Sequence, residues 1–393
     1  MKILQINSVY EYGSTGKIVA LIHNKCKEEN IESYIIFARS GTVDGKQKEV
    51  KTNDSVFKIN NSFEMYSHLA LAVLFDKHGL YSKTNTKKII EKIKNIDPDI
   101  IHLHNIHGFY VNYEMLFEYL KKSNKKIVWT LHDCWSFTGF CSHFEYNNCM
   151  HWKDQGIKCT CRNVYPYRIL INTDNNLKRK IKAFDIKNMT LVTPSVWLKD
   201  VVKESILNKH ECKVINNSID LSVFKYSKTN YLKEKLNTNK KIILMVSSPF
   251  TKQKGFDEAL SLSKILSDKY VIVMIGLSKG QIKNLPKNII GFTRTSDVNE
   301  LVRCYCSSDI FLNLTLEDTY PTVNLEALAC RLPVITYKTG GSSEMIEGKG
   351  IIVEKYDIEG VKQAIENISL EKKEYHFDND MVNNYIKLYG ELV

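Results

Sequence analysis

The sequence predicts an α/β protein in which two similar domains follow each other along the chain. Short apolar runs of strand length alternate with longer helical patterns in both halves, and this alternation is typical of parallel sheets covered by helices. The 393 residues are too many for one ordinary core and suit two domains. Strand patterns open both halves, at Met1–Asn7 and Lys241–Val246, which indicates that one architecture is repeated.

The composition, with 43% hydrophobic and 25% charged residues, is that of a soluble globular protein. No apolar run approaches the roughly 18 residues that a transmembrane helix needs, and the opening MKILQIN is a strand pattern rather than a secretory signal. We therefore expect a cytoplasmic protein. The net charge of +11 indicates either a lysine-rich surface or weak attraction to anionic membranes or phosphates. The clusters of arginine and aromatic residues typical of nucleic-acid-binding proteins are absent from the sequence.

The most informative stretch runs from Asp309 to Glu344. Its pattern predicts a strand at Asp309–Leu314, a polar loop, a helix beginning near Pro321 and a second strand at Pro333–Tyr337. This order predicts a βαβ unit, and in open α/β sheets ligands bind where loops leave the carboxyl ends of the strands. We therefore expect ligand-binding residues in the loop and at the start of the helix.

Two acids in this unit, Asp318 and Glu326, have seven residues between them. The helix start beside them, at Thr322 and Val323, offers backbone N–H groups and the positive end of the helix dipole. Both suit a phosphate group. The unit therefore combines two carboxylates with a phosphate-binding helix start.

The acids are followed by ALACRLPV at 327–334 and by Gly340-Gly341-x-x-Glu344. Together these residues resemble the signature of the retaining glycosyltransferases of family 4, most closely the branch that makes bacterial capsule, exopolysaccharide and O-antigen chains. The resemblance implies the GT-B fold: two Rossmann-like domains facing a central cleft, with a C-terminal helix that crosses back to the N-terminal domain. Asp318 stands where many members have Glu, and Arg331 where most have Gly, so the turn at Arg331 should be built differently.

By this resemblance we expect an N-terminal acceptor-binding domain at 1–210, a C-terminal domain that binds the nucleotide-sugar donor at 211–375 and the returning helix at 376–393. Two further segments interrupt the alternation of strands and helices. They are a polar loop at 42–60 and an insertion rich in cysteine and aromatic residues at 134–167.

In the N-terminal half, candidate site residues follow three strand patterns. Gly13 and Gly16 follow the first strand, and glycine lets a backbone come close to a ligand; in the family this loop approaches the donor diphosphate. His104 and His107 follow the strand near residue 100 and are candidates for acceptor contacts. His132 follows the strand near residue 130, and the resemblance implies that it holds a hydroxyl of the transferred sugar.

In the C-terminal half, the resemblance implies that Glu326 binds the nucleotide ribose and Asp318 the sugar hydroxyls. Lys252 and Lys254 are candidates for holding the diphosphate, Lys252 because Pro249 occupies the position where the family has an arginine. None of the loops that follow predicted strands carries the Asp-x-Asp motif that metal-dependent glycosyltransferases use. We therefore expect no metal and no cofactor, with fixed cations and helix N-termini stabilising the leaving diphosphate.

The expected reaction is a retaining transfer of a hexose or N-acetylhexosamine from a UDP- or GDP-sugar to a saccharide acceptor, lipid-linked in surface polysaccharide assembly. Two alternatives stay open: a sugar-nucleotide epimerase of the same architecture, and a catalytically degenerate paralogue that binds or scaffolds. The spacing of the two acids argues against the epimerase. The departures at Pro249, Asp318 and Arg331 are what a degenerate paralogue would show.

Four cysteines of the insertion are spaced Cys141-x7-Cys149-x9-Cys159-x-Cys161. Zinc sites favour cysteine pairs with two to four residues between them, and Cys159-Thr-Cys161 is tighter than that. The sequence therefore favours a packed insertion with free thiols, and a structural zinc site is the alternative.

Contact with an anionic membrane would suit an enzyme whose acceptor is carried by a lipid. Basic clusters at Lys121–Lys126 and Lys178–Lys180 flank an aromatic segment, and both kinds of residue favour an anionic bilayer surface. We expect the protein to dock at the inner face of the cell membrane through these clusters and the aromatic residues Trp129, Trp135, Phe137, Phe140, Phe144 and Trp152.

Overall fold

The computed structural model describes residues 1–40, 50, 52–59, 62–161 and 165–393, together with the backbone of two short strands at 42–43 and 46–47. The rest of the expected loop at 42–60, and residues 162–164 of the expected insertion, lie outside the described residues. The chain forms two compact units. The first unit comprises Met1–Asn216 and Asp380–Val393, and the second comprises Asn217–Asn379.

The first unit is built on a parallel sheet. Its described strands are β1 (Lys2–Val9), β2 (Glu32–Arg39), β3 (Thr42–Val43), β4 (Lys46–Gln47), β5 (Val56–Lys58), β6 (Ile100–Leu103), β7 (Lys126–Thr130), β8 (Met189–Thr193) and β9 (Cys212–Val214). β3 and β4 pair antiparallel. The other seven form one sheet in the order β5-β2-β1-β6-β7-β8-β9, with every pairing parallel. Ile3, Ile36 and Ile101 are fully buried, as in sheets that are covered on both faces.

Helices pack against both faces of this sheet. Those before the second unit are α1 (Gly13–Glu28), α2 (Ser62–Phe75), α3 (Lys83–Ile96), α4 (Tyr113–Ser123), α5 (Thr173–Phe184) and α6 (Val196–Lys203). The side chain of Asn112 caps α4 and that of Ser195 caps α6, each by accepting a backbone N–H of the first turn. α1 begins at Gly13, so Gly16 lies inside the first turn of the helix and not in the loop before it.

The aromatic residues of the expected docking face are core residues. Each of the six is at most 8% exposed, and all belong to the main hydrophobic cluster of the first unit. Trp129, for example, packs against Phe117 and Phe184 with ring centroids 5.4 and 4.8 Å away. The prediction that these aromatics contact a membrane is therefore wrong, because their large apolar surfaces fill the space around β7 and the insertion.

The second unit repeats the architecture of the first. Its elements are α7 (Tyr231–Leu236), β10 (Lys241–Val246), a 3-10 helix (Lys252–Lys254), α8 (Phe256–Ser263), β11 (Tyr270–Ile275), α9 (Lys279–Lys283), β12 (Ile289–Phe292), α10 (Val298–Ser307), β13 (Ile310–Asn313), α11 (Thr322–Ala329), β14 (Val334–Tyr337), β15 (Ile351–Val353) and α12 (Ile358–Asn367). The six strands form a parallel sheet in the order β12-β11-β10-β13-β14-β15.

In both sheets the sequential order of the strands reverses beside the first strand. The reversal lies between β1 and β6 in the first unit and between β10 and β13 in the second. This arrangement is that of the Rossmann fold, in which ligands bind at the carboxyl ends of the strands beside the reversal. The predicted fold class, two Rossmann-like α/β domains, is confirmed.

The C-terminal helix α13 (Met381–Leu392) belongs to the first unit. Its buried residues Met381, Tyr385, Leu388 and Tyr389 pack with residues of β1, α1, β6 and β7 in one hydrophobic cluster. An amphipathic sequence explains the placement, because one side of the helix is apolar enough to cover the sheet.

Candidate active site

The predicted site residues lie at the carboxyl ends of strands beside the two reversals. Gly13 and Gly16 follow β1, His104 and His107 follow β6, His132 follows β7, Lys252 and Lys254 follow β10, Asp318 follows β13, and Thr322, Val323 and Glu326 lie on α11. Each unit therefore carries its own set, and the two sets differ in chemistry.

Two histidines of the first unit are joined directly. His104 Nδ1 lies 3.0 Å from His132 Nε2, with the rings stacked at 13° between planes. His104 Nε2 lies 3.2 Å from the Gln5 Oε1, whose amide nitrogen donates to the Val19 carbonyl. Since Gln5 presents its oxygen, His104 donates from Nε2 and accepts at Nδ1. His132 then donates from Nε2, and its neutral tautomer carries the unprotonated nitrogen at Nδ1.

Burial keeps these rings neutral. Desolvation lowers the pKa of His104 well below its ordinary value, and it lowers the pKa of His132 to about 4, since a buried ring resists taking a charge. His104 is only 1% exposed. In this geometry His104 holds His132 in place, and a direct contact of His104 with the acceptor stays a prediction.

A hydrogen-bonded network behind the two histidines reaches α13. His102 Nδ1 lies 2.6 Å from the Tyr389 hydroxyl, and His102 Nε2 lies 2.8 Å from Thr130 Oγ1. Thr130 Oγ1 is also 2.7 Å from the Tyr385 hydroxyl. The His102 ring lies 4.0 Å from that of His104. The C-terminal helix therefore supports the histidines from behind the sheet.

His107 pairs with an acid that the sequence analysis did not select. Its Nε2 lies 2.8 Å from Asp133 Oδ2, and the Trp135 N–H donates to Asp133 Oδ1 at 2.9 Å. Burial acts to raise the pKa of Asp133, but the neighbouring His107 and these hydrogen bonds lower it to about 2. Asp133 is therefore ionised. Its position directly after a predicted strand was the signal that could have identified it.

The glycine positions of the first unit have clear backbone reasons. Gly13 has a φ of +64°, a conformation that side-chain-bearing residues rarely adopt. A Cβ on Gly16 would lie 3.2 Å from the Glu11 nitrogen and 3.3 Å from the Tyr10 carbonyl carbon. Both glycines therefore allow a tight entry from β1 into α1, and contact with a donor diphosphate stays a prediction.

The central feature of the second unit is an ion pair. Lys254 Nζ lies 2.6 Å from Asp318 Oδ2, and the Tyr320 N–H donates to Asp318 Oδ1 at 3.1 Å. The segment after β10 lies close to the segment after β13. This approach needs Gly255, where a Cβ would lie 2.4 Å from the Leu314 carbonyl oxygen. The structure thus brings together one predicted cation and one predicted acid.

Lys252 is placed differently. It lies on the same 3-10 helix, but its side chain is 69% exposed and its ammonium is 3.3 Å from the carboxylate of Asp257 on α8. The structure therefore does not join Lys252 to the pair formed by Lys254 and Asp318. Its part in holding a diphosphate stays a prediction.

Glu326 is held by a buried tyrosine. The Tyr305 hydroxyl donates to Glu326 Oε2 at 2.9 Å, and burial, with the charge of Glu326, raises the pKa of Tyr305 well above its ordinary value. The phenol therefore stays protonated and keeps donating. Asn324 fixes the same helix through hydrogen bonds to Asn313 (2.9 Å) and Ser342 (3.2 Å). Thr322 and Val323 form the first turn of this fixed helix, where backbone N–H groups lack intrahelical partners.

The turn after α11 corrects one expectation. Arg331 has a φ of +57°, the left-handed conformation that glycine adopts readily, so the turn keeps the backbone that Gly would give. The guanidinium lies 2.8 Å from Glu374 and 5.3 Å from the centre of the Tyr226 ring. These contacts stabilise a conformation that costs an arginine about 1 kcal/mol.

Two protein-family models match this chain. The family model described as "Glycosyltransferase Family 4" matches residues 64–223, and the one described as "Glycosyl transferases group 1" matches residues 227–387. The two matches lie one after the other and together span most of the chain. The chain belongs to the family 4 glycosyltransferases. The transferase interpretation is thereby favoured over the epimerase interpretation.

Two curated relatives of this glycosyltransferase match along nearly their whole length. A protein of Escherichia coli K12, WcaC, whose name assigns it to colanic acid biosynthesis as a glycosyl transferase, is 22% identical over 89% of this chain and 86% of its own. A 41.2 kDa protein from the cps region of Klebsiella pneumoniae is 24% identical over 95% of this chain and 96% of its own.

Solved structures support the fold. Anabaena HepE, determined in complex with UDP, superposes with a TM-score of 0.66 at 14% identity, covering 100% of both chains. This likeness confirms the GT-B fold for the glycosyltransferase. Among the residues that the structure describes, no helix is both long enough and apolar enough to cross a membrane.

Proposed function

We propose that this glycosyltransferase moves a hexose or N-acetylhexosamine, with retention of configuration, from a nucleotide-diphosphate sugar to a lipid-linked saccharide in bacterial surface polysaccharide synthesis. The observation that carries the proposal is the pairing of Lys254 with Asp318 beside the N-terminus of α11. The names of the relatives, which refer to colanic acid and to a cps region, favour a polysaccharide product. HepE was solved with UDP-glucose as well as with UDP, which favours a UDP-sugar donor.

The second unit would hold the donor. Lys254 and the first turn of α11, at Thr322 and Val323, would bind the diphosphate, and Glu326 would accept hydrogen bonds from the ribose hydroxyls. Asp318 would accept hydrogen bonds from hydroxyls of the sugar while its own charge stays paired with Lys254. A positioned ammonium stabilises the charge that develops on the departing diphosphate, which is the main demand of the reaction.

The first unit would hold the acceptor and shield the reacting sugar. The neutral tautomer derived above gives His132 an acceptor nitrogen for a hydroxyl of the transferred sugar. His107 and Asp133 would bind acceptor hydroxyls, since an ionised carboxylate accepts and an imidazole can donate. In this scheme the departing phosphate takes the acceptor's proton, so no enzyme nucleophile is required.

Titration of the purified protein with UDP and GDP, followed by NMR of the product formed from the matching nucleotide sugars, tests the proposal. We expect one nucleotide to bind and the product to keep the anomeric configuration of the donor. A protein that binds neither nucleotide would be the degenerate paralogue. A product of inverted configuration would exclude the retaining mechanism.

Transfer should also proceed without a dissociable metal, because Lys254 and α11 supply the positive charge. Activity measured within minutes of adding EDTA should equal that in Mg²⁺ or Mn²⁺. A requirement for either ion would overturn this part of the proposal.

We further propose that the first unit contacts an anionic membrane through an apolar face that the sequence analysis did not select, next to Lys178 and Arg179 of the second predicted basic cluster. This apolar face consists of exposed residues of α2 and of the segment 165–171. The residues are Phe63 (81% exposed), Tyr66 (64%), Tyr167 (64%), Ile169 (67%), Leu170 (53%) and Ile171 (67%). A hydrogen bond from the Ile169 N–H to the Val73 carbonyl, 2.7 Å long, joins the two parts.

Charge next to the apolar face supports an anionic partner. Lys77, Lys178, Arg179 and Lys182 line one surface pocket together with Asn172, which directly follows Ile171. Basic residues near an anionic leaflet contribute about 1 kcal/mol each. Arg179 pairs with Glu114, just as Lys122 and Lys125 of the cluster at Lys121–Lys126 pair with Glu118 and Asp97. The adjacent apolar residues therefore distinguish the two surfaces.

Vesicle sedimentation distinguishes the two surfaces. The combined change Phe63→Ser, Ile169→Ser and Ile171→Ser should abolish most binding to vesicles containing phosphatidylglycerol. The matched control, in which Lys121, Lys122, Lys125 and Lys126 become Gln, should bind nearly as well as the unchanged protein. High salt should weaken binding, because it screens the basic residues. If the lysine variant lost more binding than the apolar variant, the cluster at Lys121–Lys126 would be the docking surface instead.

A further inference from the structure

Four of the five cysteines of the insertion form one cluster. The sulfur atoms of Cys149, Cys159 and Cys161 all lie within 4.8 Å of one another. Cys149 Sγ is 3.7 Å from Cys159 Sγ, and Cys141 Sγ is 3.1 Å from Cys161 Sγ. Cys141 therefore joins the group through Cys161. Four residues spread over 21 positions of a largely irregular segment thus place their sulfurs in a single cluster.

We propose that Cys141, Cys149, Cys159 and Cys161 bind one structural Zn²⁺ ion. Tetrahedral coordination with Zn–S bonds of 2.3 Å places the sulfurs about 3.8 Å apart. The separation of 3.7 Å between Cys149 and Cys159 matches that distance, and the 3.1 Å between Cys141 and Cys161 is shorter, so a small side-chain rotation would reach it. The tight Cys159-Thr-Cys161 spacing, which argued against zinc in the sequence, does not prevent both sulfurs from reaching the cluster.

The surroundings suit a thiolate site. Cys141, Cys149 and Cys161 are at most 2% exposed. Four thiolates and Zn²⁺ carry a net charge of −2, which requires nearby cations and N–H donors. Arg168 meets this need, since its Nη2 lies 3.5 Å from Cys159 Sγ and donates to the Cys161 carbonyl at 3.1 Å. The backbone N–H of His151 donates to Cys149.

The ring of His151 is held by the loop through one of its nitrogens. Its Nδ1 lies 2.9 Å from the Ile157 carbonyl oxygen, and its Nε2 lies 3.2 Å from Asp174 without forming a hydrogen bond. The ring therefore supports the loop around the cluster. The site that these residues form is closed by four sulfurs, and a closed set is typical of structural rather than catalytic zinc.

A metal here would hold the acceptor side of the first unit in place. Cys141 is connected to the residues after β7, because Thr138 donates to its carbonyl at 2.5 Å and the Cys134 N–H donates to the neighbouring Ser142 carbonyl at 2.7 Å. That segment carries Trp135, whose ring lies 5.3 Å from His107. The zinc ion would thus fix the segment that carries Asp133 and contacts His107, without contacting a substrate.

Metal analysis of the purified protein tests the proposal independently of any transfer activity. We expect about one zinc per chain by plasma mass spectrometry, and cobalt substitution should give the thiolate charge-transfer and visible bands of a tetrahedral site. Cys149→Ser should lose most of the zinc, whereas Cys134→Ala and Cys26→Ala, which change buried thiols outside the cluster, should retain it.

Two results would overturn the proposal. One is a protein that contains no zinc after expression and refolding with added zinc. The other is an intact mass four hydrogens below that of the reduced chain, which would show two disulfides instead of a metal site. If Cys149→Ser fails to fold, the stoichiometry and cobalt spectrum of the unchanged protein still decide between these outcomes.

Discussion

In the first unit the side chains behind the carboxyl edge of the sheet are neutral and fully buried, whereas in the second unit they are charged and partly exposed. His102 and His104 are at most 1% exposed, while Lys254 and Asp318 retain 33% and 20% of their side-chain exposure. Burial penalises ions far more than neutral groups, so a buried network must stay uncharged. Ions persist where they are paired and reached by solvent.

Under the proposed function, this difference suits each unit to a different kind of ligand. Neutral rings, with Asp133 as an ionised group at their rim, suit the hydroxyl groups of a sugar. A lysine beside a helix N-terminus suits a diphosphate. The two units share one topology and differ in a few residues at the ends of their strands. Substitutions at these residues should therefore have different consequences in each unit.

The largest effect should come from Lys254. Lys254→Ala should lower the transfer rate about 100- to 1,000-fold, because it removes a positioned cation from the departing diphosphate. The matched control, Lys252→Ala, should change the rate less than threefold, since that lysine pairs with Asp257 at the surface. Steady-state rates at saturating donor provide the measurement. A larger effect at Lys252 would reverse the roles assigned to the two lysines.

Glu326→Gln should weaken binding of the nucleotide diphosphate by about 1.5–3 kcal/mol, the strength of a hydrogen bond to a charged group. Calorimetric titration measures the affinity, and thermal unfolding checks that the fold is intact. Glu366→Gln, on the exposed side of α12, is the control and should bind as the unchanged protein does. Equal affinities for the two variants would remove Glu326 from the site.

The neutral network of the first unit should be sensitive to acid. The pKa of His132 is lowered to about 4 in the folded protein, while the unfolded chain takes up a proton near pH 6.5. The free energy of unfolding should therefore fall as the pH drops from 6.5 towards 4, with His132 contributing about 1 kcal/mol per pH unit.

Urea unfolding at pH 7.0, 6.0 and 5.0 measures this slope. His132→Gln should make the slope shallower by that contribution and should leave nucleotide affinity unchanged. An unchanged slope would show that His132 is already protonated in the folded state and that the first unit is not neutral.

The smallest effects are expected for two tyrosine substitutions, one in each unit, which test the difference between the two units. Tyr305→Phe removes the donor to Glu326 and should weaken nucleotide binding by about 0.5–1.5 kcal/mol. Tyr389→Phe removes the partner of His102 and should lower the free energy of unfolding by a similar amount, with nucleotide affinity unchanged. Nucleotide titration and urea unfolding of both variants measure these effects. Weaker nucleotide binding by Tyr389→Phe, with binding by Tyr305→Phe unchanged, would contradict the prediction.

The sequence predicted the parts of this molecule that depend on local pattern. Strand and helix periodicity predicted the two Rossmann-like units, and the order of patterns around Asp318 and Glu326 predicted the β13–α11–β14 unit. Contacts between distant residues carry no such pattern. Tyr305 was missed because its role depends on a partner 21 positions away, whereas Asp133 directly follows a predicted strand and could have been selected for that reason.

Composition also did not show which side chains are buried or in which direction they point. The aromatics between the basic clusters resembled a membrane surface but fill the core. Lys252 and Lys254 look equivalent in the sequence, and only the direction of each side chain on the 3-10 helix separates them. At Arg331 the residue type suggested a different turn, whereas paired contacts allow arginine to keep the usual backbone.

The placement of α13 also orders events during synthesis. The first unit needs residues from both ends of the chain, with the whole second unit made in between. Domains tend to fold as they emerge from the ribosome. Here His102 and Thr130 gain their hydrogen-bond partners Tyr389 and Tyr385 only when translation is almost complete. A message cut short before residue 380 would therefore yield a second unit complete in sequence and a first unit with buried polar groups left unsatisfied, which makes such a fragment a ready target for proteolysis.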